Sequence, residues 1–443
     1  MATTKEEAKA YLEAEDKGAP LQKLVEEAVN LALRVQPIGP EKQKEFLAFY
    51  FLASMSAKAG SKEEKYLKDE KFGGDTARIL AIRQLFPENR AIKHFDFEYF
   101  ETLEDKDKEA LMYIAKSGIC NPDSGMGCYA INPTDYDKFK PFFQKVLADY
   151  HKTAADPKHV TDWKLEGVEG LPEDGKLDLE KLGLPELSMR VRVGRNLADF
   201  PLPGGMTQDD RVKMELKMCE AFKVLIADEA YGGSYHSLTP GHENFIDEAK
   251  YKELVDAHIM FKDMSADSFL LEAGIAAHWP HGRGCYVSAD KGFIVWVGEE
   301  DHLRIMAMKK GKMLNEIFDR LKTALDKINS IEGLKFAHSA DYGFVTSCPT
   351  NLGTGMRASL HIALPKLTKD GQADPHGNSP ATKAIAKPLG LSVRGLGGEH
   401  TPIGSDGTVD ISPSARFCIS EAQIITALYK GIKQMAEAEQ AAA

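Results

Sequence analysis

Cysteine is scarce in this 443-residue chain. The six, Cys120, Cys128, Cys219, Cys285, Cys348 and Cys418, form no CxxC pair. That argues against a disulfide framework and for reduced thiols in a cytosolic setting. Long hydrophobic runs are missing too, and no stretch reaches the roughly 18 continuous apolar residues of a membrane span. Arginine is absent from the first 30 residues, which carry seven acids and four lysines, the wrong balance for a mitochondrial transit peptide. Ala2 also leaves out the glycine that N-myristoylation needs. Positive net charge is lacking: the chain stands at −11, which speaks against a general nucleic-acid binder. With 43% hydrophobic and 28% charged residues, the composition fits a globular protein placed in the cytoplasm, with no nucleic-acid or membrane partner. Its length suits two or three domains of roughly 100–200 residues each.

Against that acidic background, two stretches concentrate positive charge. In Ser188-Met189-Arg190-Val191-Arg192-Val193, Ser188, Arg190 and Arg192 share one side of an extended chain and the apolar residues the other. In CPTNLGTGMRASLH (348–361), a small, turn-forming half precedes a second alternation that aligns Arg357, Ser359 and His361 opposite Ala358, Leu360 and Ile362. Guanidinium, hydroxyl and imidazole groups all donate to phosphate oxygens, arginine bidentately. Two half-exposed surface strands would also account for either pattern alone. Together they point to one small polyanion held between strands.

These segments resemble the phosphagen (ATP:guanidino) kinases, and CPTNLGTGMRASLH is similar to that family's signature. SMRVRVGRNL, WPHGRG, VWVGEEDHLRIMAM and VRGLGGEH extend the likeness over residues 65–440 or so. The resemblance implies an α+β chain: a small all-helical N-terminal domain, then a larger domain with an antiparallel sheet flanked by helices. The segments read as a helical extension (1–60), a helical guanidino-substrate domain (61–155), a proline- and glycine-bearing linker (156–187) and an ATP-binding catalytic domain (188–443). Strand-like runs at 188–193, 285–289, 293–298, 303–308, 343–348 and 357–364, and an apolar helical stripe over 312–328, fit that plan. Segments 366–383 and 395–409 read as loops. The second, with Glu399 among glycines, suits a closing lid.

The resemblance also implies roles. Arg190, Arg192, Arg304, Arg357 and Arg394 match arginines that grip the nucleotide phosphates. Ser188, His258, Trp296, Ser359 and His361 match positions near ATP or ADP. Magnesium would bridge the phosphates, its other ligands mainly water rather than protein. Glu300 and Glu399 match the carboxylate pair that brackets the guanidinium, with Glu300 favoured to take its proton. Cys348 matches a reactive cysteine whose thiolate nearby arginines should favour. Three adjacent acids, Glu299 to Asp301, otherwise read as a solvated turn.

Asp123-Ser124-Gly125-Met126-Gly127-Cys128-Tyr129 falls where the family holds the amino-acid end of its substrate, through Ser124, Gly125, Met126 and Tyr129. Its short form, with a nearby tyrosine, looks like the arginine-using branch. L-arginine and phosphoarginine are therefore the expected partners, in direct in-line exchange with ATP that buffers the cell's ATP. Gly397 departs from that branch, which has arginine there, and a taurocyamine-using enzyme is the near rival. A protein-arginine kinase would lack the helical domain. Asp341-Tyr342-Gly343 lacks the other protein-kinase motifs. His278, His281 and Cys285 lack a fourth zinc ligand. The chain is expected to be a monomer or homodimer.

Overall fold

A computed structural model describes residues 57–154, 156–371, 374, 376, 379–396 and 401–442. Most of the expected N-terminal extension, together with Gly397 and Glu399 of the expected lid, lies outside the described residues. The chain divides into two compact units. One runs to Tyr129 and includes Phe139–Tyr150; the other holds Ala130–Lys138 and everything from His151 on.

The first unit is helical: α1 (Lys62–Leu67), α2 (Gly73–Leu85), α3 (Arg90–Lys93), α4 (Phe97–Thr102), α5 (Asp105–Ile114) and α6 (Lys116–Cys120). The chain then leaves it for α7 (Asp135–Lys138) and returns in α8 (Lys140–His151). Side-chain caps start several of these short helices. Ser61, Asn89 and Asp96 each accept a hydrogen bond from an otherwise unpartnered N–H of the first turn. The core is aromatic. Tyr66, Phe72, Phe95, Phe97 and Phe100 meet at ring-centroid distances of 4.9–6.2 Å, a geometry that adds to plain area burial.

The second unit is built on an eight-stranded sheet. Its strands are β1 (Leu187–Arg195), β2 (Ser234–Ser237), β3 (Gly284–Val287), β4 (Phe293–Val297), β5 (Leu303–Gly311), β8 (Met356–Ala363), β9 (Leu391–Arg394) and β10 (Thr408–Pro413). A separate ribbon pairs β6 (His338–Ser339) with β7 (Gly343–Phe344). The large sheet runs β2-β3-β4-β5-β1-β8-β10-β9, every pair antiparallel.

Strict alternation in β1 and β8 gives the sheet two unlike faces. Met189, Val191, Val193, Ala358, Leu360 and Ile362 are buried in one large core. Helices α9 (Gln208–Ile226), α10 (Leu314–Asn329) and α11 (Glu421–Ala441) add Met214, Phe222, Ile317, Leu321, Ile425 and Leu428 to it. Capping boxes at Thr207–Asp210 and Ser420–Gln423 fix the starts of α9 and α11. Each such aliphatic side chain contributes about 1.5–3 kcal/mol by leaving water, so this face orients the sheet and the other is left for chemistry. On that other face a smaller core, with Leu254, Phe261, Met264, Ile294 and Met306, covers only the β3–β4–β5 end.

The architecture is the expected one, with local differences. The run at 343–348 is a strand only at Gly343–Phe344. Beyond it the backbone and hydroxyls turn to other partners: Ser347 N–H donates to Asp301 and Thr346 Oγ1 to the Cys348 carbonyl. Strands β2, β9 and β10 had no clear sequence signal, and a helix, Pro380–Ala386, starts inside an expected loop. Segment 156–187 carries little regular structure, yet its Leu165, Leu177 and Leu179 are buried in the large core. Among the described residues, no helix is long and apolar enough to cross a membrane.

Candidate active site

Register carries the site. In an antiparallel pair, opposed residues project from the same face. Arg190 stands opposite Ser359, Arg192 opposite Arg357, and Ser188 opposite His361. His361 in turn opposes Asp410, which opposes Arg394. On the other side Gly194 opposes Arg304, and Arg304 opposes Trp296. Ser188, Arg190, Arg192, Trp296, Arg304, Arg357, Ser359, His361 and Arg394 therefore share the sheet face away from the large core. Residues as far apart in sequence as Ser188 and Arg394 meet on five neighbouring strands and β9 at the edge.

Gathering cations has an electrostatic cost, legible in their proton affinities. Burial first, then Arg304 and Arg357, lowers the Arg190 pKa to about 10. Burial and the same kind of neighbours, Arg304, Arg190 and Arg357, take Arg192 well below its ordinary value. Two carboxylates relieve part of the repulsion. Asp410 Oδ2 accepts from Arg357 Nη2 at 2.5 Å. Glu299 Oε1 accepts from Arg304 Nη1 at 2.7 Å. Burial works against the Arg304 charge, but Glu299, Glu300 and Asp301 outweigh it and raise its pKa. Asp410 Oδ1 and Arg190 Nε are buried and lack a hydrogen-bond partner among the described residues. A polar ligand would satisfy such groups.

Trp296 is held by Nε1–H donation to the Ile259 carbonyl at 2.6 Å, and the Arg304 guanidinium lies 5.8 Å from its ring centre. That contact places the 258–261 segment beside the arginine row. His258 itself is exposed, with left-handed φ of 57°.

The acidic turn is not the solvated one its composition suggests. Asp301 is buried, its Oδ1 accepting from Asn196 Nδ2 and from Ser347 N–H, both at 2.7 Å. The turn after β4 is thereby tied to the residue before Cys348. Glu300 is held by Asn351 Nδ2 at 2.8 Å, from inside the signature loop. Burial and the Glu299 charge push the Glu300 carboxyl up to about 7.

Cys348 corrects an expectation. Burial and the neighbouring Glu300 raise its pKa, and the Thr350 hydroxyl 3.1 Å from Sγ offsets only part of this. Burial first, and the Glu300 charge after it, therefore oppose the thiolate that the nearby arginines were expected to favour.

In the helical unit, Ser124, Met126 and Gly127 are buried, Gly125 is exposed and Tyr129 is half-buried. Gly118 N–H donates to the Gly127 carbonyl and Tyr129 N–H to the Ile114 carbonyl. Gly127 has φ of 76°, and a Cβ there would lie 2.5 Å from Asn89 Oδ1. Only glycine fits that turn. Asn89, Asn196, Asp301, Asn351 and Asp410 were all missed in sequence. Polar residues in no recurring motif give no sign of which distant backbone they will meet.

A row of partly neutralised arginines beside a buried carboxylate and a cysteine offers donors to a polyanion and an acceptor to a cation, the chemistry that phosphoryl transfer asks for. The ATP:guanido phosphotransferase C-terminal catalytic domain matches residues 213–442, and the N-terminal domain of the same family matches 90–148. The chain belongs to this family of ATP:guanidino phosphotransferases. The catalytic-domain match begins at residue 213, after β1, so Arg190 and Arg192 lie outside it.

The chain is similar to the arginine kinase of Limulus polyphemus, 37% identical over 79% of this chain and 92% of that one. Its fold is similar to the crystal structure of lombricine kinase, with TM-score 0.68 and 26% identity over 80% of this chain and 93% of that one. It is also similar to the duplicated taurocyamine kinase from Schistosoma mansoni with bound transition state analog components. There the TM-score is 0.64 at 26% identity, and the likeness covers 91% of this chain but 49% of the other, so this chain spans about half that protein.

Proposed function

We propose that this phosphotransferase acts on L-arginine, moving the γ-phosphoryl group of ATP reversibly to the guanidino nitrogen. The observation that carries the reading is the shared sheet face, with Arg192 directly opposite Arg357 and Arg190, Arg304 and Arg394 beside them. The similarity to arginine kinases at 33–37% identity favours arginine as the acceptor.

In this reading the five arginines bind the nucleotide phosphates and the charge spread over the phosphoryl group in transit, with Ser188, Ser359, His361, His258 and Trp296 around the nucleotide. An arginine-rich face, with Asp410 and Glu299 already engaged by arginines, suits a magnesium ion that arrives on the nucleotide. The ion would neutralise phosphate oxygens there while its remaining ligands are water. Glu300, with Glu399 as its expected counterpart, orients the guanidinium. A nitrogen–phosphorus bond forms as the bond from Pγ to the departing ADP oxygen breaks, and Glu300 takes the proton the nitrogen loses. A carboxylate near pKa 7 suits that exchange in both directions. Cys348 sits beside the guanidinium and needs no covalent phosphoryl intermediate. Ser124, Gly125, Met126 and Tyr129 hold the amino-acid end.

Initial rates with arginine, creatine, taurocyamine and glycocyamine test the assignment. Strong preference for arginine is expected. Preference for taurocyamine or creatine would move the chain to another branch of the family.

A further inference from the structure

In the helical unit, three consecutive residues at the start of α3 grip the loop 121–127. Asn89 Nδ2 donates to the carbonyls of Gly118 and Pro122 at 3.0 and 3.2 Å. Arg90 Nη1 donates to the Gly125 carbonyl at 2.7 Å. Ala91 N–H donates to the Met126 carbonyl at 3.0 Å. In a trans peptide the N–H points opposite to the C=O of the same plane. Drawing the Gly125 and Met126 carbonyls toward α3 therefore turns the N–H groups of Met126 and Gly127 away from it. Those N–H groups, and that of Gly125, have no hydrogen-bond partner among the described residues. Successive free N–H groups make a seat for an anion.

The guanidinium that does this is itself held. Arg90 is 19% exposed, its Nε lies 3.7 Å from Asp149 Oδ1, and its plane sits 5.4 Å from the Tyr150 ring centre. Asp149 is engaged at the same time by Lys93 and His94, at 2.7 and 2.8 Å. Arg90 is thus a fixed strut, and its hydrogen bond sets the tilt of the Gly125–Met126 peptide.

We propose that Arg90 is a specificity-positioning residue: by fixing that peptide it aims the loop's N–H groups at the carboxylate of the guanidino substrate. It acts through the loop and does not touch the substrate. The inference rests on the reading of residues 124–129 as the loop that holds the amino-acid end.

The test compares L-arginine with agmatine, the same guanidine without the carboxylate, in the wild-type chain, Arg90→Met and Arg90→Lys. Met keeps the aliphatic stem on Tyr150 and removes every donor; Lys restores one. The wild type should prefer arginine strongly. Arg90→Met should raise KM for arginine about tenfold, the scale of one lost charged hydrogen bond, leave KM for agmatine and ATP within twofold, and so narrow the preference by the same factor. Arg90→Lys should recover part of it. An unchanged arginine-to-agmatine ratio in a folded Arg90→Met overturns the role of Arg90. A wild type that does not discriminate overturns the loop reading itself, and the proposal with it. If Arg90→Met does not fold, an unchanged ratio in Arg90→Lys, whose amine cannot reproduce the guanidinium's simultaneous contacts, overturns the proposal equally.

Discussion

Arg192 and Arg357 stand directly opposite one another on adjacent antiparallel strands. Like charges in that position repel, and burial sharpens the effect, as the lowered pKa of Arg192 records. A fold that carries such a pair without a ligand is less stable than it could be. Replacing Arg192 by Met should therefore raise the unfolding free energy by about 1 kcal/mol or more while removing phosphoryl transfer. Thermal unfolding beside an activity assay checks both halves. A less stable variant would mean that the cation is a structural support.

Arg357 differs in having Asp410 as its partner. Arg357→Ala should lower kcat by about 10²–10³, the usual loss for one charge-stabilising donor, and leave the fold intact. Its stability should fall modestly, because a largely buried Asp410 carboxylate then loses its cation. Double substitution with Asp410→Asn should restore stability without restoring turnover.

Glu300 makes a prediction in pH. Its folded-state pKa, about 7, lies above the 4.5 of an ordinary glutamate. The native chain therefore binds more protons than the unfolded chain between those values, and this group's contribution to stability falls as pH rises from about 4.5 to about 7. Glu300→Gln should remove that slope, so melting curves of the variant and wild type should diverge over this window and run parallel above it. With arginine as substrate, kcat/KM should fall as pH drops through about 7 in the wild type, since protonation removes the base.

Cys348 should alkylate slowly in the free protein at pH 7–8 and faster only at higher pH, since burial and Glu300 both oppose its thiolate. Glu300→Gln should speed the reaction at fixed pH. Cys348→Ser should keep measurable transfer, and complete loss accompanied by a trapped phosphothiol would restore a covalent route. Rapid alkylation of the free wild type at neutral pH would contradict the local electrostatics described here.

The phosphate-facing row was legible because strand alternation states which side chains share a face before any partner strand is known. Arg190–Arg192 and Arg357–His361 declare themselves in this way. What alternation does not state is which strand lies next to which. Asp410 in β10 therefore gave no sign that it would reach Arg357, and β10 itself carried no clear strand signal. The composition of the acidic turn has the same limit. Three acids in a row look solvated until Asn196, over a hundred residues away, and the Ser347 N–H capture the third. For Cys348 the sequence shows the nearby arginines but not the burial that opposes its thiolate. Arg90 belongs to no recognisable motif. Its meaning lies in a carbonyl 35 residues on.

Titration of ADP into the wild-type chain and into Arg192→Met, with and without magnesium, tests the central claim most directly. Binding should weaken at least tenfold in the variant, by more than 1.4 kcal/mol, with magnesium strengthening binding to the wild type. Equal affinity for the two proteins would place the nucleotide elsewhere than the arginine face of the sheet.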